Sequence, residues 1–172
     1  MNPNATEPTA DAAAEYLTAL QERLTRDGCT VTSPHWKDRL VVIGRRADRK
    51  ARWFGTKTEV FVFAAAVPEI DLATMADFTG WSMSYAKSLR RGIPGARNAA
   101  MVLPALVSAR VQPEAAQWAA QDARVVGATL IGRPLTVETR PDGVHVTMYR
   151  GQVPVGGLFT KHVLEKAALY FR

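Results

Sequence analysis

Residues 39–66 read RLVVIGRRADRKARWFGTKTEVFVFAAA, and the architecture can be built outward from this stretch. Its two ends, Arg39–Gly44 (RLVVIG) and Val60–Ala66 (VFVFAAA), are branched or aromatic apolar runs of strand length. Between them, Arg45–Arg52 (RRADRKAR) carries five cations around a single acid. The pattern predicts an antiparallel hairpin whose tip is strongly positive.

Upstream, Ala13, Ala14, Leu17, Leu20 and Leu24 recur at helical spacing from Asp11 onward, and Gly28 suits the C-terminal stop of a helix. Cys29–Thr32 then reads as a short strand ended by Pro34. Residues 1–10, polar and interrupted by Pro3 and Pro8, read as a flexible tail, which leaves 11–172 as a single domain.

Downstream, Asp71 is placed to cap a helix with Leu72, Met75, Phe78, Trp81, Tyr85 and Leu89 on its apolar face. The helix ends in a basic elbow, KSLRRGIPGAR (Lys87–Arg97), which holds four cations and no acid. Ala99–Ser108 reads as a buried strand despite Pro104. Pro113 opens a short helix, and Ala128–Ile131 is a further short strand. Leu135–Arg140 and Val144–Tyr149 alternate in polarity around Pro141-Asp142-Gly143, a hairpin signal. A last helix follows Gly156-Gly157 and turns Phe159, Val163, Leu164, Ala167, Ala168 and Phe171 inward. The fold class expected is α/β: a single mixed sheet flanked by helices, closed by a C-terminal β-hairpin and helix.

At 172 residues and 47% hydrophobic, the chain is long and apolar enough for one well-cored domain. Its net charge of +6 is uneven. In residues 1–27 Glu7, Asp11, Glu15, Glu22 and Asp27 outweigh Arg23 and Arg26 by three, so the remainder carries +9. A basic body attracts polyanions. The residues expected to meet a nucleic-acid backbone are Arg45, Arg46, Arg49, Lys50 and Arg52 in the tip, with Arg90, Arg91 and Arg97 in the elbow. The N-terminus lacks the basic and apolar regions of a secretory signal. The longest apolar run, Ala99–Val107, is too short to span a bilayer. A cytoplasmic protein with no membrane partner is expected.

The single cysteine, Cys29, cannot form an internal disulfide or a cysteine-based zinc site, and a buried core thiol is expected. His35, His145 and His162 occupy no nucleophile motif and no metal-ligand spacing; His145 and His162 read as solvent-facing. Nucleotide-binding glycine loops and a nucleophile elbow are absent from the sequence. One carboxylate pair is a candidate. With the hairpin tip centred near Asp48 and Arg49, antiparallel pairing sets Asp38 opposite Glu59 or Val60. Two such carboxylates could hold Mg²⁺ for phosphodiester hydrolysis.

The order α-β-β-β-α-β, followed by VSARVQPEAAQWA and a short return strand, resembles the restriction-endonuclease-like superfamily over about residues 12–132. The resemblance implies that core, with an Asp on the second strand and Asp/Glu-x-Lys on the third. Asp38 and Glu59 match the carboxylates, but Phe61 stands where the lysine belongs, so Lys87 on the next helix is the substitute. The chain therefore looks like a degenerate member. The turn Gly92-Ile93-Pro94-Gly95-Ala96-Arg97-Asn98 is also similar to one in small prokaryotic proteins, a likeness that brings no activity. The function expected is a non-enzymatic binding or assembly module without a cofactor, acting as a homodimer or on a protein partner. The alternatives are a Mg²⁺-dependent nuclease using Asp38, Glu59 and Lys87, or a non-catalytic nucleic-acid-binding protein.

Overall fold

A computed structural model describes residues 8–49, 57–90, 98–127, 129–153 and 157–172. The elements run α1 (Pro8–Arg26), β1 (Thr30–Thr32), β2 (His35–Trp36), β3 (Arg39–Leu40), β4 (Val42–Arg49), β5 (Lys57–Ala66) and α2 (Leu72–Leu89). They continue with β6 (Asn98–Ser108), α3 (Pro113–Gln121), β7 (Arg124–Val126), β8 (Leu130–Gly132), β9 (Leu135–Arg140), β10 (Gly143–Met148) and α4 (Thr160–Tyr170), the last entered through a 3₁₀ turn at Gly157–Phe159. The expected α/β architecture forms: a mixed sheet in the order β1-β4-β5-β6-β8-β7, with β9 also on β6 and β10 on β9. β4 runs antiparallel to both its neighbours, whereas β5, β6, β8 and β9 are parallel.

The central hairpin has longer arms than its apolar runs suggest. Arg45–Arg49 are not loop but the second half of β4, and Lys57–Glu59 begin β5, so pairing continues from Arg45↔Phe61 to Arg49↔Lys57. Charged residues hold strand here because successive side chains leave on opposite faces, and each face offers them acids. At the other end, Arg39 and Leu40 leave β4 for a small hairpin with His35 and Trp36, turned by Lys37 at φ 52°. Trp36 anchors that hairpin edge-on against Phe78, ring centroids 4.8 Å apart. α1 starts at Pro8, within the stretch expected to be tail, with proline in the first turn where its missing N–H costs no hydrogen bond.

The sheet separates two cores. One joins Leu20 and Leu24 of α1, Val163 and Tyr170 of α4, and Val60, Val62, Met101 and Leu103 of the sheet. The other joins Met75 and Phe78 of α2 and Ala115 of α3 to Phe61, Phe63, Val102 and Leu106. α1 approaches β4 so closely that a Cβ on Gly44 would lie 2.8 Å from Leu24 Cδ2, which accounts for a glycine in mid-strand. None of the helices among the described residues is long and apolar enough to cross a membrane.

β6 explains how a buried strand tolerates Pro104. Ala100 pairs with Leu130 and Ala105 with Leu135, so β8 and β9 keep one register along the same edge of β6. That register brings Pro134 level with Pro104. Proline has no N–H to give a ladder. Ala100 N bonds to Thr129 O and Arg133 N to Val102 O, so Pro104 lacks its donor towards β8 and β9 while Pro134 lacks one towards the outer edge, and pairing with β6 lapses between Val102↔Gly132 and Ala105↔Leu135. On either side of this seam the outer edge is taken by a different antiparallel strand, β7 on β8 and β10 on β9.

Candidate functional site

β1, β4 and α2 enclose a groove of about 440 Å³ lined by Thr30, Thr32, Ser33, Pro34, Ile43, Arg45, Tyr85 and Leu89. The register Thr30↔Arg45 and Thr32↔Ile43 puts these four side chains on one face of the sheet. α2 forms the opposite wall. It is held over β5, where Phe63 meets Trp81 and Tyr85 edge-on at 5.8 and 5.9 Å. Ile43 is a buried apolar floor, while Thr30, Thr32 and Ser33 form an exposed polar rim.

One end of the groove is cationic. On β5 the odd residues face α2, so Glu59 emerges beside β4's Arg45, whose Nη2 donates to it at 2.7 Å. Lys57 Nζ lies 3.7 Å and Arg90 Nε 4.0 Å from the same carboxylate. Arg90 is itself fixed by Asn98 O at 2.9 Å and Thr129 Oγ1 at 3.2 Å. The Arg45 guanidinium also lies over the Phe61 ring, 5.2 Å from its centroid. Among the described residues three cations thus meet one carboxylate, and positive charge there is in excess. The Glu59 side chain is only 8% exposed, but Arg45 keeps 37% of its side chain open to solvent. Its remaining donors can serve a ligand.

The structure does not bring Asp38 to Glu59. The residue opposite Glu59 is Ala47. Asp38 lies exposed in the β2–β3 turn, and its neighbour Arg39 donates to Ala66 O at the far end of β5. Ala66 is seven residues along the strand from Glu59, about 23 Å at roughly 3.3 Å per residue. The proposed Mg²⁺ pair fails for that reason. The hairpin extends past the expected tip, so the register shifts by several residues. Lys87 is exposed on α2, and the cations on Glu59 are Arg45, Lys57 and Arg90 instead. Among the described residues, no three His, Cys, Asp or Glu side chains are grouped to hold a metal ion.

Among the described residues of the tip, Arg45 and Arg46 do not share a patch. Arg45 faces the α2 groove, while Arg46 faces α1 and α4, because adjacent strand residues alternate. Arg49 is exposed, and Lys50, Arg52, Arg91 and Arg97 lie outside the described residues. Arg46 belongs to a ladder of charges that docks α4. Its Nη1 is 3.0 Å from Asp27 Oδ1 and its Nε 2.7 Å from Asp48 Oδ1. Asp48 Oδ2 is 3.0 Å from His162 Nε2, and Asp27 Oδ2 takes bonds at 2.5 Å from both Lys166 Nζ and Tyr170 Oη. Burial works to raise the pKa of Asp27, but the bonds from Lys166 and Tyr170 and the nearby cations carry it below the usual carboxylate value. Asp48 is lowered in the same way: burial opposes, and Arg46 and then His162 prevail.

His162, expected at the solvent, is therefore buried and structural. Cys29 is half-buried, 3.5 Å from Tyr170 Oη, and burial pushes its thiol pKa up, away from a nucleophile's. Sequence reasoning also missed Arg133. It is 1% exposed at the proline seam and donates to Tyr149 O at 3.0 Å and Gly151 O at 2.8 Å. The Arg-Pro dipeptide facing Pro104 was its only available signal. Comparison of the chain with protein-family models, curated proteins and solved structures finds no match.

Proposed function

We infer that this chain is a non-enzymatic binding or assembly module and that its working surface is the groove between α2 and the β1–β4 flank. The observation that carries this reading is the excess positive charge at the end of an open, apolar-floored groove. A cleft of a few hundred Å³ with a small number of placed polar groups is the usual form of a ligand site. The carboxylates on both faces of the β4–β5 hairpin have structural partners: Glu59, at the cationic end of the groove, with Arg45, and Asp27 and Asp48, on the opposite face, with Arg46. The run α1, β1, β4, β5, α2, β6 supports a restriction-endonuclease-like core as the scaffold, with Glu59 held in ion pairs and Asp38 and Lys87 exposed apart from it.

The test is a fragment library of mixed charge, followed through backbone amide shifts of the full chain. Binders are expected to move the amides of Thr30–Ser33, Ile43–Arg45 and Tyr85–Leu89. In parallel, the protein is incubated with DNA and RNA in Mg²⁺ or Mn²⁺, where no cleavage is expected. Fragments that cluster elsewhere, or metal-dependent cleavage, would overturn the reading.

A further inference from the structure

We propose that the groove is selective for a small amphipathic organic anion, with a carboxylate or similar head on Arg45 and an apolar body along Ile43, Tyr85 and Leu89. This ligand class rests on the groove being the working surface, as inferred above. Its size of about 440 Å³ suits a molecule of small-ligand dimensions. Within it, Arg45 lies across from Thr30 and Ile43 across from Thr32. Ile43, Tyr85 and Leu89 contribute the apolar lining, and among the described lining residues Arg45 is the one ionisable group other than the Tyr85 phenol.

The charge behind Arg45 gives the head group its sign. Arg45, Lys57 and Arg90 surround a single buried carboxylate, so an incoming anion meets uncompensated cations. An incoming cation would meet only repulsion, since Glu59 sits behind Arg45 and is already bonded to it. Arg45 is also braced from below by the Phe61 ring, which limits the reordering needed on binding. Thr30 and Thr32, exposed on the rim of the same face, can add hydroxyl donors to the head.

The experiment compares octanoate, octanol and octyltrimethylammonium, which share a chain and differ in head charge, by amide-shift titration of the full protein. Octanoate is expected to bind at least tenfold more tightly than octanol, with the ammonium weakest. Thr32 supplies variants that leave the core and Glu59 untouched. Thr32→Glu should weaken octanoate about tenfold, and Thr32→Lys should leave it unchanged or tighten it. Inorganic sulfate should compete only weakly, because it lacks the apolar body. Equal binding of octanoate and octanol at the groove, or indifference to Thr32→Glu, overturns the anion preference while the groove itself survives. Shifts that fall outside the groove for all three probes overturn the groove reading as well. Tighter binding there of a single-stranded DNA dodecamer than of octanoate would replace the small anion with a nucleic acid.

Discussion

Replacing Glu59 with glutamine keeps the shape of the side chain and removes the one negative charge that three cations share. A charge-assisted hydrogen bond contributes about 1.5–3 kcal/mol. Arg45 is more than a third exposed, so its 2.7 Å bond belongs near the lower end of that range. Lys57 and Arg90, at 3.7 and 4.0 Å, add at most surface-scale terms of about 0.2–1 kcal/mol each. Against these stands relief from burying an ionised group, which Gln lessens. The net expectation for Glu59→Gln is a loss of about 2 kcal/mol, equivalent to a fall in Tm of roughly 4–8 °C for a chain of this size. The assay is urea denaturation followed by circular dichroism, with the midpoint compared at constant slope. Arg45→Met combined with Glu59→Gln should cost less than the two losses added, because each single change already removes the shared contact. Sulfate should raise the Tm of Glu59→Gln more than that of the parent, since the unmasked cations offer it a site. A Glu59→Gln midpoint equal to the parent's, or strict additivity in the double variant, would refute the reasoning. Glu138→Gln is the control: its partner Arg140 is exposed, and its midpoint should not move.

Two further outcomes are expected. Gly44→Ala would press a methyl against the fully buried Leu24 at 2.8–2.9 Å and should cost about 1–3 kcal/mol in chemical denaturation, part of it recovered by adding Leu24→Val. Asp27 and Asp48 have folded pKa values below their usual 3.8, so they add stability that is complete well above that pH and drains away as pH falls through 3.8 to the folded values. An acid titration of stability should show that loss, and Asp27→Asn with Asp48→Asn should flatten it.

The fold was legible wherever apolar period and turn chemistry agreed. Val60–Ala66, the Asp71-capped helix, the Pro113 helix and the hairpin at Pro141-Asp142-Gly143 all stand where their patterns put them. What misled was the stretch Arg45–Arg49. Local propensity gives a run of charges to a loop, and only the tertiary structure supplies Glu59 on one face and Asp27 and Asp48 on the other. That single misreading moved the hairpin tip, and with it the Asp38–Glu59 pair. His162 was misread for a related reason. On its own helix it sits beside Lys161 and Lys166, and its partner Asp48 is 114 residues away. Of the candidate site, Arg45, Glu59 and Arg90 were visible as charges, but their meeting depended on a register that periodicity alone does not set.

The proline seam in β6 bears on how the chain reaches this structure. β7 with β8, and β9 with β10, are each joined by a short connection, so both pairs are made of contacts close in sequence. Pairing of β5 with β6 and of β6 with β8 and β9 spans whole crossover segments, and closing such loops is the slower event. Because pairing with β6 lapses between Val102↔Gly132 and Ala105↔Leu135, each hairpin can attach to β6 as a prefabricated piece without threading past the other. Formation of the parallel centre, rather than growth of its outer edge, should therefore limit the rate of folding.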